Sequence, residues 1–263
     1  RYALEHWEAD PYQALVFHRG ALTPGQQALV RALKPPADAV ETANLSVTTV
    51  DVSAEMSPDH AAAWKEQPLD AMLPRVVLRY PRGTGLRADL AAFPLNDAAA
   101  WKVADSPVRQ EVMNRLGEGQ SAVWLLLESG DKAADDAAEK LLNERLDYLL
   151  GVLSLPRLDA QDIANGLVSV GQDDLRLDFS VIRLSRRNQD ERTLVAMLMG
   201  SEEDLHGLAG QPMVFPVFGR GRALYALVGK GIAPETIEEA ATFLIGKCSC
   251  QVKEQNPGID LLF

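Results

Sequence analysis

Few residues in this chain have the types and spacing that chemistry needs. Cys248 and Cys250, the two cysteines, are separated only by Ser249. A Cys-x-Cys disulfide closes a small strained ring that is easily reduced, so the pair suits electron shuttling or disulfide isomerisation. The same sulfurs could form half of a soft-metal site, with His or carboxylate partners brought in by folding or by another chain. The third reading carries the most weight: both sulfurs are small apolar fillers where the tail packs. No second Cys pair and no His-x-x-x-His pattern completes a zinc site.

The other candidates are weaker. His18 follows the apolar run Ala14–Phe17 and stands where an active-site loop would begin, so it could act as a general base. No Ser or Cys nucleophile is close to it in sequence, and a loop histidine with one hydrogen bond is the commoner case. Gly219-Arg220-Gly221 lies between two strand-like runs, whereas a dinucleotide fingerprint must open a helix, so it reads as a hairpin turn. Gly229-Lys230-Gly231 lacks the phosphate-loop frame and reads as a turn. Ser129-Gly130-Asp131 precedes a helix and could hold an anion on backbone N–H groups, but Asp131, Asp135 and Asp136 favour an N-cap. Glu202, Glu203 and Asp204 lack calcium-loop spacing and read as a solvated acidic turn. Arg183, Arg186 and Arg187 read as a solvated rim at a strand end.

These residues must be positioned by elements that hydrophobic periodicity reveals. Leu29, Val30 and Leu33 recur at helical spacing before Lys34-Pro35-Pro36 stops the helix. Leu45–Val52 is rich in β-branched residues and predicts a strand. Asp59–Lys65 predicts a helix, and Leu73–Tyr80 a strand entered through a proline. Ser106-Pro107 starts a helix that ends near Gly117. Ala122–Leu127 then reads as a buried strand, Lys132–Leu153 as a long helix, and Leu175–Val181 as an alternating strand. Thr193–Met199 predicts a short helix, Met213–Phe218 and Ala223–Val228 a hairpin, and Pro234–Leu244 a last helix. Each half therefore reads strand, helix, strand, helix, strand and helix, with a further strand before the last helix where a hairpin is present, as in the second half. Early strand–helix alternation implies a parallel βαβ unit, and the late hairpin adds antiparallel strands to the same sheet. Gly-Glu-Gly-Gln at 117–120 breaks the periodicity and divides the chain into 1–118 and 119–263.

At this point the pattern resembles the thioredoxin-like fold twice over. The best match runs from Gln211-Pro212 through Met213–Phe218, Gly219–Arg222 and Val228–Gly231 to the helix after Pro234. Leu73-Pro74 before a strand resembles the same feature in the first half, and Ala14–Leu33 resembles the first strand, active-site loop and helix. The chain is also similar to bacterial proteins that share a Cys-Ser-Cys-Gln-Val-Lys-Glu-Gln-Asn-Pro-Gly tail, a likeness that implies no activity. The resemblance implies tandem thioredoxin-like α/β domains with mixed central sheets flanked by helices. It also implies cis bonds at Leu73–Pro74 and Gln211–Pro212.

The departure from the family concerns sulfur. A thioredoxin places a thiolate at a helix N-terminus with a second Cys to resolve the mixed disulfide. Here the corresponding places hold Thr23-Pro24-Gly25-Gln26 and Gly130-Asp131-Lys132-Ala133. The expectation is a redox-inactive binding or scaffold protein, with Leu73, Pro74, Gln211 and Pro212 presenting backbone to an extended peptide or protein partner. The rival is a thiol-disulfide oxidoreductase or metal carrier acting through Cys248 and Cys250. No cofactor is expected.

Charge and composition narrow the classes. Among 263 residues, 26 Lys+Arg face 37 Asp+Glu, a formal net charge of −11. That balance disfavours nucleic acid unless a basic face is segregated. No apolar run approaches the roughly 20 residues of a membrane helix. The chain begins at Arg1 without an initiator Met, which is compatible with a removed leader and an exported or cell-envelope location.

Overall fold

The computed structural model describes residues 2–34, 43–86, 89–157, 160–164, 171–246, 253 and 257–263. In chain order the elements are α1 (Tyr2–His6), β1 (Tyr12–His18), α2 (Pro24–Leu33), β2 (Leu45–Asp51), α3 (Pro58–Lys65), β3 (Arg75–Arg79), β4 (Asp89–Pro94), α4 (Ala98–Trp101) and α5 (Pro107–Gly117). They continue with β5 (Ala122–Leu127), α6 (Lys132–Val152), α7 (Ala160–Ala164), β6 (Phe179–Leu184), α8 (Arg192–Met199), β7 (Met213–Phe218), β8 (Arg222–Ala223), β9 (Leu227–Val228), α9 (Pro234–Ile245) and β10 (Ile259–Asp260). The protein is α/β, with two mixed sheets flanked by helices. Among the described residues no helix is long and apolar enough to cross a membrane.

Two compact units divide the chain, and neither is one uninterrupted stretch. The first comprises Asp10–Ser106, Gln189–Met197 and Leu262–Phe263; the second comprises Arg1–Ala9, Pro107–Asn188 and Leu198–Leu261. Helix α5 belongs with the second unit, and the break at 117–120 is its turn into β5, where Gly119 takes φ +101°. That left-handed region is one that glycine enters without steric cost.

In the first unit the strand order is β2-β1-β3-β4. β1 and β2 run parallel from Tyr12↔Leu45 to His18↔Asp51, while β1–β3 and β3–β4 are antiparallel. Parallel neighbours need a crossover, which α2 supplies. β1 is central, so Tyr12 and Ala14–Phe17 are all buried. Leu15, Phe17, Val50, Ala63 and Val77 form one core, with Trp64, Met56 and Leu73 packed against it and the Phe17 and Trp64 rings 5.2 Å apart. The sequence signals did not mark β4: its Ala-rich run ends in proline and has weak strand propensity, and pairing with β3 makes it a strand.

The Gln189–Met197 segment is tied into this unit by buried polar contacts. The Tyr80 hydroxyl donates to the Ala196 and Met197 carbonyls at 3.2 and 3.1 Å. Ser106, just ahead of α5, donates its hydroxyl to the buried Glu191 carboxylate at 2.6 Å. Leu194 and Met197 are fully buried.

In the second unit the order is β10-β8-β7-β5-β6, with β9 also on β7. β5 is parallel to β6 and antiparallel to β7, and all six of its residues are buried. Trp124 and Leu126 pack with Leu142, Leu146 and Leu149 of α6 and Ile237, Ala240 and Ala241 of α9. The strand expected at Leu175–Val181 lies instead at Phe179–Leu184. Pairing starts at Ala122↔Phe179, so Leu175 and Leu177 have no β5 residue opposite them. The expected strand Ala223–Val228 is split into β8 and β9. Their registers on β7 differ by one residue across Pro216, which has no N–H to give to a ladder. Of the two expected cis bonds, Leu73–Pro74 is cis and Gln211–Pro212 is trans.

Because each unit is completed by distant chain segments, neither half is expected to fold alone. A fragment of residues 1–118 lacks Gln189–Met197, and in thermal unfolding it should show no cooperative transition where the full chain does. A dispersed, native-like NMR spectrum for that fragment would contradict this.

Candidate functional site

In open α/β sheets the C-terminal strand ends, beside the following helix N-terminus, are where ligands sit. Each unit has such a place: β1 and β2 end beside α2 in the first, and β5 and β6 end beside α6 in the second.

In the first unit the start of α2 is closed by its own side chains. Thr23 Oγ1 accepts the Gln26 N–H at 3.3 Å, and Gln26 Oε1 accepts the Thr23 N–H at 2.9 Å, a reciprocal capping box ahead of Pro24. His18 stands opposite Asp51 in the parallel register. Its Nδ1 is 2.8 Å from the Gly20 carbonyl, which can only accept, so Nδ1 carries a proton. Asp51 Oδ1 accepts from the Ser53 hydroxyl at 2.6 Å, the Ser53 N–H at 2.9 Å and the Gly20 N–H at 3.2 Å. The Ser53 hydroxyl and amide bonds, with smaller contributions from Gly20 and His18, hold the Asp51 carboxyl below its usual range. Ser53 donates to Asp51 and not to His18, so these residues do not form a nucleophile–histidine–acid relay.

Leu73 and Pro74 enter β3 beside this place. Extending the β1–β3 register beyond Phe17↔Arg75 brings Pro74 to the level of His18 and Leu73 to that of Arg19. The Leu73 side chain packs on the core, yet neither its backbone N–H nor its carbonyl takes a hydrogen bond among the described residues. The Pro74 carbonyl is used by Leu95 N–H at 2.9 Å. Leu69 and Met72, just upstream, are exposed at 110% and 69%.

In the second unit the corresponding donors are also consumed. Asp131 is the N-cap of α6, as expected, accepting from the Ala133 and Ala134 amides at 2.9 and 3.3 Å. Asp135, 1% exposed in the first turn, reaches back to accept from Ser129 N–H at 2.7 Å, Ser129 Oγ at 2.8 Å and Gly130 N–H at 3.1 Å. The arginines read as a rim have distinct roles. Arg183 is held by Glu128, Asp136 and Glu139 together. Arg186 donates from Nη2 to the Gln211 carbonyl at 3.1 Å. The Gln211 N–H is bound by Leu208 O at 3.0 Å, so the backbone expected to be open at Gln211–Pro212 is already engaged. Pro212 is buried, and its carbonyl accepts from Gly229 N–H at 2.9 Å.

Gly219–Arg222 is the β7–β8 turn, with Gly219 and Gly221 at positive φ, and Gly229–Gly231 is a 3-10 turn. Glu202 has a structural role: its carboxylate accepts the Ala226 N–H at 2.7 Å where β8 and β9 are interrupted. Cys248 and Cys250 lie outside the described residues. Among the described residues no group of three His, Cys, Asp or Glu could hold a metal. The sequence reading missed Asp51, Ser53 and the individual roles of Asp135 and Arg186, because each acts through partners brought together by the sheets.

No protein-family model and no curated protein matches the chain.

Asp135 organises the second loop through three accepted bonds. Asp135→Ala should lower stability by about 2–4 kcal/mol, since it leaves buried donors unsatisfied. Asp135→Asn, which keeps a carbonyl acceptor, should recover part of the loss. Chemical denaturation that finds Asp135→Ala within about 0.5 kcal/mol of the parent would contradict the assignment.

Proposed function

We propose that the chain is a redox-inactive binding protein of two thioredoxin-like units, which takes an extended peptide or protein segment at the Leu73 edge of the first unit. The observation that carries the reading is the unbonded backbone of Leu73. A strand-entry residue whose N–H and carbonyl have no protein partner must satisfy them with water or with another chain, and an added strand pairs through such groups. Leu69 and Met72 beside it offer apolar contact, and methionine adapts to varied side chains.

The thioredoxin-like part of the reading is supported by strand order. In both sheets a central strand has a parallel neighbour on one side and an antiparallel strand on the other, in the sequence β2-β1-β3-β4 and β6-β5-β7-β8. The redox-inactive part is supported by the caps. The amides that would steady a thiolate at a helix start are bonded to Thr23 and Gln26 in one unit and to Asp131 and Asp135 in the other. The two units divide the labour: Gln211 is engaged on both backbone groups, so the peptide edge belongs to Leu73 alone.

The test is a panel of extended peptides presented to the full chain, with binding followed by amide chemical shifts. Shifts should centre on Met72, Leu73 and the β3 entry. The double variant Leu69→Glu, Met72→Glu should bind at least about tenfold more weakly, a loss of about 1.4 kcal/mol. Cys248→Ser with Cys250→Ser should bind unchanged. Binding that maps away from Leu73, or that survives the double variant, would refute the reading.

A further inference from the structure

A cavity of about 320 Å³ opens at the end of β6 and the start of α6, within the second unit. That volume is at the small end of the roughly 300–1,000 Å³ of ligand pockets. Four cationic side chains, Lys132, Arg183, Arg186 and Arg187, line it against two carboxylates, Glu128 and Asp135. The chain as a whole has a net charge of −11, so this is a local reversal of sign.

We infer that this cavity binds a small molecule through an oxyanion group, a carboxylate or a phosphate, with Arg186 as the anchoring side chain. The contrast with Arg183 carries the inference. Arg183 meets Glu128, Asp136 and Glu139, and Lys132 pairs with Asp136, so both are neutralised from within. Among the described residues Arg186 has one hydrogen bond, from Nη2 to the neutral Gln211 carbonyl, and no ion pair with a carboxylate. Its Nε is buried without an acceptor. A guanidinium in this state keeps its charge and its planar fork, which matches two oxygens of a carboxylate or phosphate.

The Asp135 carboxylate in the lining does not substitute for a ligand. Asp135 accepts three bonds from Ser129 and Gly130, which fixes it as part of the loop. Burial depresses the Arg186 proton affinity and the Asp135 charge only offsets this, which agrees with a cation lacking close compensation. An oxyanion at the outer guanidinium edge would give the Nη groups a charged acceptor, while the Gln211 bond holds the side chain in place. The site is separate from the Leu73 edge and does not depend on the peptide reading.

The experiment titrates the full chain with sodium phosphate and, separately, sodium acetate, each against sodium chloride at matched ionic strength, while the amides of Ser129, Gly130 and Ser185–Arg187 are followed. Saturable shifts with either oxyanion, absent with chloride, are expected, and whichever saturates identifies the source as phosphate or carboxylate. Arg186→Gln should weaken the binding at least tenfold with an unchanged melting midpoint. If that variant fails to fold, Arg186→Lys, which keeps the charge and loses the fork, should weaken it severalfold. Shifts that merely track ionic strength, or affinity undiminished by both substitutions, would overturn the inference.

Discussion

A backbone N–H at a strand end or a helix start has to find an acceptor, and burial makes the obligation stricter. In this chain the obligation is met from within at both places where a sheet hands over to its first helix. Asp135 does most of this in the second unit: its carboxylate, 1% exposed, closes the turn between β5 and α6 onto the helix that follows. Thr23 and Gln26 do the same for α2 with neutral oxygens. A fold able to stabilise an anion at these positions has instead bound its own side chains there.

The two units diverge at the residue before the proline. In the second, Arg186 takes the Gln211 carbonyl and Leu208 takes its N–H, so that edge is closed to an added strand. The same arginine, held by that bond, is left facing a cavity with little compensating charge. In the first, no side chain among the described residues performs this closing role, and Leu73 keeps its backbone groups while packing its partly buried side chain against the core around Phe17. One difference in side-chain supply thus accounts for open backbone groups in one unit and a polar pocket in the other.

Much of the scaffold was legible in the sequence because it follows from local pattern. Leu15, Val50 and Val77 share one sheet, and Leu126, Phe179 and Val217 share the other, as their β-rich runs implied. The Asp131 cap was also readable, from an acidic residue ahead of an amphipathic helix. What failed depended on partners distant in sequence. The start of β6 is set by where β5 begins, and the break between β8 and β9 by the missing N–H of Pro216. Arg183, Arg186 and Arg187 look alike as a string, and only the carboxylates of α6 and the end of β5 separate a locked ion pair from an under-compensated cation. The interleaving of Gln189–Met197 into the first unit had no local sign, since its apolar spacing suits either core.

Native-state amide hydrogen exchange distinguishes an open backbone at Leu73 from a closed one at Gln211. The Leu73 N–H should exchange within about tenfold of an unstructured amide, while the Gln211 N–H, bonded to Leu208, should be slowed by more than about a hundredfold. Protection at Leu73 comparable to that at Gln211 would contradict this.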